Sequence, residues 1–175
     1  MNLRNLTLLL LVFFVFFTCG NDDDSTNTIP DRDRGVVYEE DLAEIEEFLS
    51  THFYNYEDFN FMDPYSLVND SFQIEFTALD EDPSKTPLID MVDFKIVTDR
   101  NIDYKLYFLN VREGIGNKVN FCDQAFVTYE GSLTTGYVFD SAVTPSGFNL
   151  VTAGAEIGVV KGFQQGIIEF KTSSG

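Results

Sequence analysis

The sequence contains no tryptophan, a single histidine, two cysteines and five prolines, and its 11 basic residues stand against 29 acidic ones. Each scarcity excludes something. One histidine cannot supply the grouped imidazoles and thiolates of a typical zinc site. Two cysteines, one placed where a leader would end, leave no internal disulfide. A formal charge of −18 repels phosphate backbones and anionic lipid surfaces, which excludes nucleic acid as a partner. No hydrophobic run reaches the roughly 20 residues needed to span a bilayer.

The longest apolar run, Leu6 to Phe17 broken only by Thr7, follows Arg4 and has the form of an export leader. It ends in Phe17-Thr18-Cys19-Gly20, which resembles the lipobox of bacterial lipoproteins, although Phe17 and Thr18 are bulkier than the residues usual there. That resemblance makes Cys19 an acylated first residue and a membrane anchor, each buried methylene contributing about 0.8 kcal/mol. An ordinary leader with an incidental cysteine is the alternative. The acidic, polar stretch that follows has little to bury and reads as a tether; an acidic run in this place resembles the display signal of some outer-membrane lipoproteins. The boundaries expected are a leader over 1–18 and a tether over 19–37, with the protein in the cell envelope on either face of the outer membrane. Cys122, left without a partner, is expected as a small buried hydrophobe.

From Tyr38 to Phe53, Leu42, Ile45, Leu49 and Phe53 recur at helical spacing, with Glu39, Glu40 and Asp41 in the first turn. An amphipathic helix with a solvated acidic face is predicted, docked on its own domain more simply than serving as a dimer arm. His52 near its end has no companion ligand and reads as a capping or surface residue. Phe72 to Thr77 alternates like a half-exposed strand. Asp80-Glu81-Asp82-Pro83-Ser84 lacks the ligand spacing and glycine of a calcium loop and reads as a turn. These features make residues 38–93 an N-terminal extension.

Beyond it, Phe94 to Val97 and Tyr104 to Val111 predict a hairpin turning around Asp99 to Asn101. Strands are then expected over Ala125 to Leu133, Tyr137 to Asp140 and Phe148 to Val151, with glycines 114, 116, 131, 136, 147 and 154 supplying positive φ at turns. Val159, Val160, Phe163, Ile167 and Phe170 are spaced for a short helix. The class expected is α+β, a curved antiparallel sheet with one short helix packed across it.

Four segments occur in order: Val111-Arg112-Glu113-Gly114-Ile115-Gly116, Val127-Thr128-Tyr129-Glu130-Gly131, Gly136-Tyr137-Val138-Phe139-Asp140-Ser141, and Val159-Val160-Lys161-Gly162-Phe163-Gln164-Gln165-Gly166. Together they resemble the FKBP-type peptidyl-prolyl cis-trans isomerases, over 94–175 at most. The resemblance implies a catalyst of rotation about the bond before proline in proteins, working without a cofactor or metal. It implies catalytic roles for Tyr129, Phe139 and Asp140, a substrate pocket completed by Phe148, Val159, Val160 and Phe163, and a Tyr129–Asp140 hydrogen bond. Phe163 would floor the proline ring and Val159 would offer its amide to the substrate. Because neighbours in a regular strand face opposite sides, Phe139 and Asp140 can share a pocket only if the strand ends or bulges there.

The sequence departs from the family in a shorter loop after Asp140, in Pro145, and in Phe163 where some members have tryptophan. The family also has strands and pocket aromatics after the helix, so the expectation is a domain incomplete at Gly175, with activity belonging to the complete form. Two other functions stand beside the isomerase: a noncatalytic binder of Pro-containing segments, and a surface interaction protein whose acidic N-terminal region does the work.

Overall fold

The computed structural model describes residues 32–152 and 159–173. Helix α1 (Arg34–Thr51) begins four residues ahead of Tyr38 because Asp33 caps it, its carboxylate accepting from Gly35 N at 3.0 Å and Val36 N at 3.1 Å. Glu39, Glu40 and Asp41 therefore lie past the first turn, which holds no acidic residue. The helix stops at His52, whose extended backbone turns the chain directly into β1 (His52–Tyr54). The His52 ring stacks on Phe48 at 4.2 Å, with Nδ1 3.1 Å from the Phe48 carbonyl oxygen, a C-terminal cap. Phe53, expected as the last apolar turn of the helix, is instead a buried strand residue.

The face expected to be solvated is partly engaged. Glu46 accepts from Lys105 Nζ at 2.9 Å and from the Tyr107 hydroxyl at 2.6 Å, and the Tyr38 hydroxyl accepts the Lys105 amide at 3.1 Å. These bonds seat α1 on a hairpin of β3 (Asp93–Asp99) and β4 (Ile102–Phe108). That hairpin turns through Arg100 and Asn101, both at positive φ (47° and 64°), the conformation that fits a two-residue turn to the strand twist.

β1 pairs with β2 (Phe76–Ala78). The strand expected from Phe72 starts four residues later, since Phe72 closes a 3₁₀ turn over Leu67–Ser71 and packs its ring on Phe59 at 5.2 Å. The acidic stretch after it is a turn, closed by Glu81 N to Ala78 O and Lys85 N to Asp82 O. Leu49, Tyr54 and Leu88 form the buried core, with Phe48, Phe72 and Tyr107 against it.

β5 (Gln124–Ser132) and β6 (Val138–Asn149) form a third antiparallel ladder. The class is α+β, but the strands make three separate two-stranded ladders where one curved sheet was expected. β6 is continuous through Ser141–Gly147, expected as a loop, because the ladder absorbs the surplus residues as irregularities. Pro145, which has no N–H to donate, falls in the larger of these shifts, between the pairs Val127↔Ser146 and Tyr129↔Ala142.

The last helix, α2 (Lys161–Ile167), is shorter than the spacing suggested: Val160 is its N-cap and Phe170 lies beyond its end. It sits by β3–β4. Lys161 Nζ reaches Asp99 at 2.8 Å, Lys95 meets Glu169 at 2.5 Å, and Phe108 meets Phe170 edge-on at 6.3 Å. Buried Gln164 donates to the Leu150 carbonyl at 2.6 Å, tying α2 to the end of β6.

Two further expectations are corrected. Cys122 is exposed, in the Asn120–Asp123 turn that leads into β5, where no layer covers it. Among the described glycines only Gly136 has positive φ, at 83°; Gly114, Gly131 and Gly147 instead stand where an added Cβ would crowd a neighbour, and Gly154 lies outside the described residues.

Candidate functional site

The site is built on the β5–β6 ladder. Gly131 pairs with Asp140 and Ser132 with Val138, so Phe139 is the extra residue of a bulge. Tyr129 and Gly131, two apart, share one face of β5, and Asp140 across from Gly131 shares it too. A Cβ on Gly131 would lie 2.7 Å from the Phe139 ring, which places that ring over the same face. The bulge thus aims both Phe139 and Asp140 at the side where Tyr129 stands.

There the Tyr129 hydroxyl donates to Asp140 Oδ2 at 2.6 Å. This bond to the carboxylate, followed by burial, holds the Tyr129 phenol above its ordinary pKa of 10.0. The phenol keeps its proton and directs it at the carboxylate, which is held in place at the bulge. The Tyr129 ring meets Phe148 edge-on at 5.4 Å, and Phe148 meets Phe163 at 5.1 Å. A row therefore runs from Asp140 through Tyr129 and Phe148 to Phe163 on α2.

Of the residues singled out in the sequence, Tyr129, Phe139, Asp140, Phe148 and Phe163 are brought together. Val160 caps α2 beside Phe163 and is exposed, while Val159 just before it is half-buried. Cys19 lies outside the described residues. The row is an open shelf rather than an enclosed pocket: Phe139 is 62% exposed and Asp140 is exposed, while Tyr129, Phe148 and Phe163 are half-buried. A separate concavity of about 580 Å³ is lined by Tyr56–Met62 and touches none of them.

Sequence reasoning missed Gly131 as a site residue. It was read as a turn glycine, whereas its role is to leave room for the Phe139 ring. The signal was available in the pairing of a mid-strand glycine with a nearby aromatic. Glu44 was missed as well; it accepts from the Thr134 hydroxyl and so joins α1 to the turn that connects β5 to β6.

Among the described residues no group of His, Cys, Asp and Glu is placed to hold a metal, and no helix is long and apolar enough to cross a membrane. What the shelf offers chemically is π-faces for an apolar ring, beside a fixed carboxylate that can orient a polar group. Comparison with family models, with curated proteins and with solved structures gives no match, so a family reading of this chain rests on its four ordered motifs.

Proposed function

We propose that the chain is a peptidyl-prolyl cis-trans isomerase of the FKBP type, held to a cell-envelope membrane by lipid on Cys19 and acting on prolines of exported proteins. The observation that carries this reading is the 2.6 Å Tyr129–Asp140 bond beside a bulge that turns Phe139 onto the same face. Rotation about a prolyl bond breaks no covalent bond. The barrier is about 18–20 kcal/mol and comes from amide resonance, so a catalyst works by binding the twisted, less polar bond better than the planar one. Phe139, Phe148 and Phe163 supply apolar surface for the ring. Asp140, oriented by Tyr129, supplies a fixed charge near the carbonyl that twists.

A second reading, a noncatalytic holder of Pro-containing segments, is favoured by the 62% exposure of Phe139, because an open shelf desolvates only one side of its guest. The two readings separate in a proline-limited refolding assay with the full chain. The isomerase reading expects the slow phase to accelerate in proportion to protein concentration and expects Asp140→Ala to remove the effect with the fold intact. Binding of a Pro-containing peptide with no change in the slow phase favours the holder. Absence of both binding and acceleration overturns the assignment.

A further inference from the structure

Charge around the shelf is one-sided. From Val119 to Val160 the sequence has no lysine or arginine, while Asp123, Glu130 and Asp140 lie on or beside the β5–β6 hairpin. The next cation, Lys161, is committed elsewhere, its Nζ donating to Asp99 at 2.8 Å and to the Thr98 carbonyl at 3.1 Å. Asp140 takes its hydrogen bond from a neutral hydroxyl, which orients the carboxylate without cancelling its charge. Glu44, at the turn, likewise meets a neutral hydroxyl on Thr134. Glu130 neighbours Tyr129 on the opposite strand face and is exposed, with no ion pair among the described residues. A side chain one or two residues from a bound proline lies within about 7 Å of it along an extended chain, inside the ~8 Å screening length of physiological salt.

We propose that the shelf selects prolyl segments flanked by lysine or arginine and discriminates against those flanked by aspartate or glutamate. This deepens the prolyl-binding reading and rests on it. The test measures binding of Lys-Leu-Pro-Phe-Lys, Gln-Leu-Pro-Phe-Gln and Glu-Leu-Pro-Phe-Glu peptides to the full chain in detergent, with matched peptides carrying alanine for proline. Two unit charges about 7 Å apart in water change affinity about threefold. Affinity is therefore expected to fall about threefold from the lysine to the glutamine peptide and about threefold again to the glutamate one. In 1 M salt, where screening acts over about 3 Å, the three converge to within about twofold. Glu130→Gln, which touches no ring of the shelf, is expected to narrow the lysine-to-glutamate ratio and to leave the glutamine peptide unchanged.

Equal, proline-dependent binding of all three peptides overturns the charge selection and leaves prolyl binding standing. A charge order that persists undiminished in the alanine peptides overturns it too, as general attraction to an acidic protein. Absence of proline-dependent binding by any member removes both the selection and the reading beneath it.

Discussion

The first part of the described chain and the β5–β6 hairpin use the same residue types to opposite ends. Between α1 and β4 a set of aromatics turns inward, although Phe61, Tyr65, Phe76 and Phe94 stay more than half exposed: Tyr54 is 2% exposed and packs with Leu49 and Leu88, and Phe72 and Tyr107 close around them. On the hairpin Phe126 is 66% exposed, Phe139 62% and Val143 93%. The difference lies in the backing. α1 lays an apolar side on β3–β4 and the β1–β2 ladder, so rings there have a second layer to bury against. The hairpin meets α2 only near its end, through Phe148 and Leu150. A ring on a two-stranded ladder without a covering layer is available for a guest, and it adds little to stability.

The sharpest way to break this contrast is to mutate both sides and measure stability. Leu88→Ala, at 1% exposure in the core, is expected to cost about 2–5 kcal/mol; chemical denaturation with an unchanged m-value checks it. Asn69→Ala is expected to follow, at about 1–3 kcal/mol. Its buried side chain accepts from Asn60 N and donates to the carbonyls of Asn60, Asp63 and Pro64, and removing it leaves the Asn60 amide of that loop unpaired. If either substitution proves as mild as a surface change, the inward half is not the stability centre described here.

How much was legible in the sequence follows the same divide. Local signals read well: the helical spacing of Leu42, Ile45 and Leu49 marked α1, and the turn at Asp99 to Asn101 marked β3–β4. Once the family resemblance assigned Phe139 and Asp140 to one pocket, strand geometry required a break there, and the ladder bulges at that point. Signals that depend on partners read poorly. Asp33 looked like one more charge in a polar tether until a helix was known to start beside it. Ser141–Gly147 looked like a loop because Pro145 and Gly147 are turn residues, yet pairing with β5 holds it extended. Whether strands join one sheet or three ladders depends on long-range pairing, to which alternation within a strand is blind. The openness of the shelf was illegible for the same reason, since exposure is a property of what lies opposite.

On the outward half, function and stability should separate. Phe139→Ala is expected to weaken binding of a Pro-containing peptide about tenfold while changing unfolding free energy by less than about 0.5 kcal/mol, the range of surface substitutions. Titration of the peptide and a denaturation curve on one preparation check both. Gly131→Ala is expected to act more weakly through the same ring, a few-fold in affinity, because the new methyl would meet Phe139 at 2.7 Å and the exposed ring can swing aside. An affinity loss larger than that of Phe139→Ala would place the effect in the strand backbone rather than the ring.

The finest test concerns the proton between Tyr129 and Asp140. The hydrogen bond to Asp140, its largest cause, raises the Tyr129 pKa above the ordinary 10.0. A group whose native pKa is raised holds its proton more tightly when folded, so its contribution to stability is fully present below the unfolded value near 10 and is lost as pH rises through the folded one. Ring-labelled tyrosine NMR should show Tyr129 titrating above 10.0, as Tyr54 and Tyr107 also do because burial raises them, and only the Tyr129 resonance should return toward 10.0 in Asp140→Ala. Since both groups stand on the exposed half, the accompanying change in stability is expected to be small, whereas the change in titration is not. A Tyr129 resonance indifferent to Asp140 would mean that the bond at the bulge does not form in solution, and the carboxylate would then have no partner to orient it toward a bound proline.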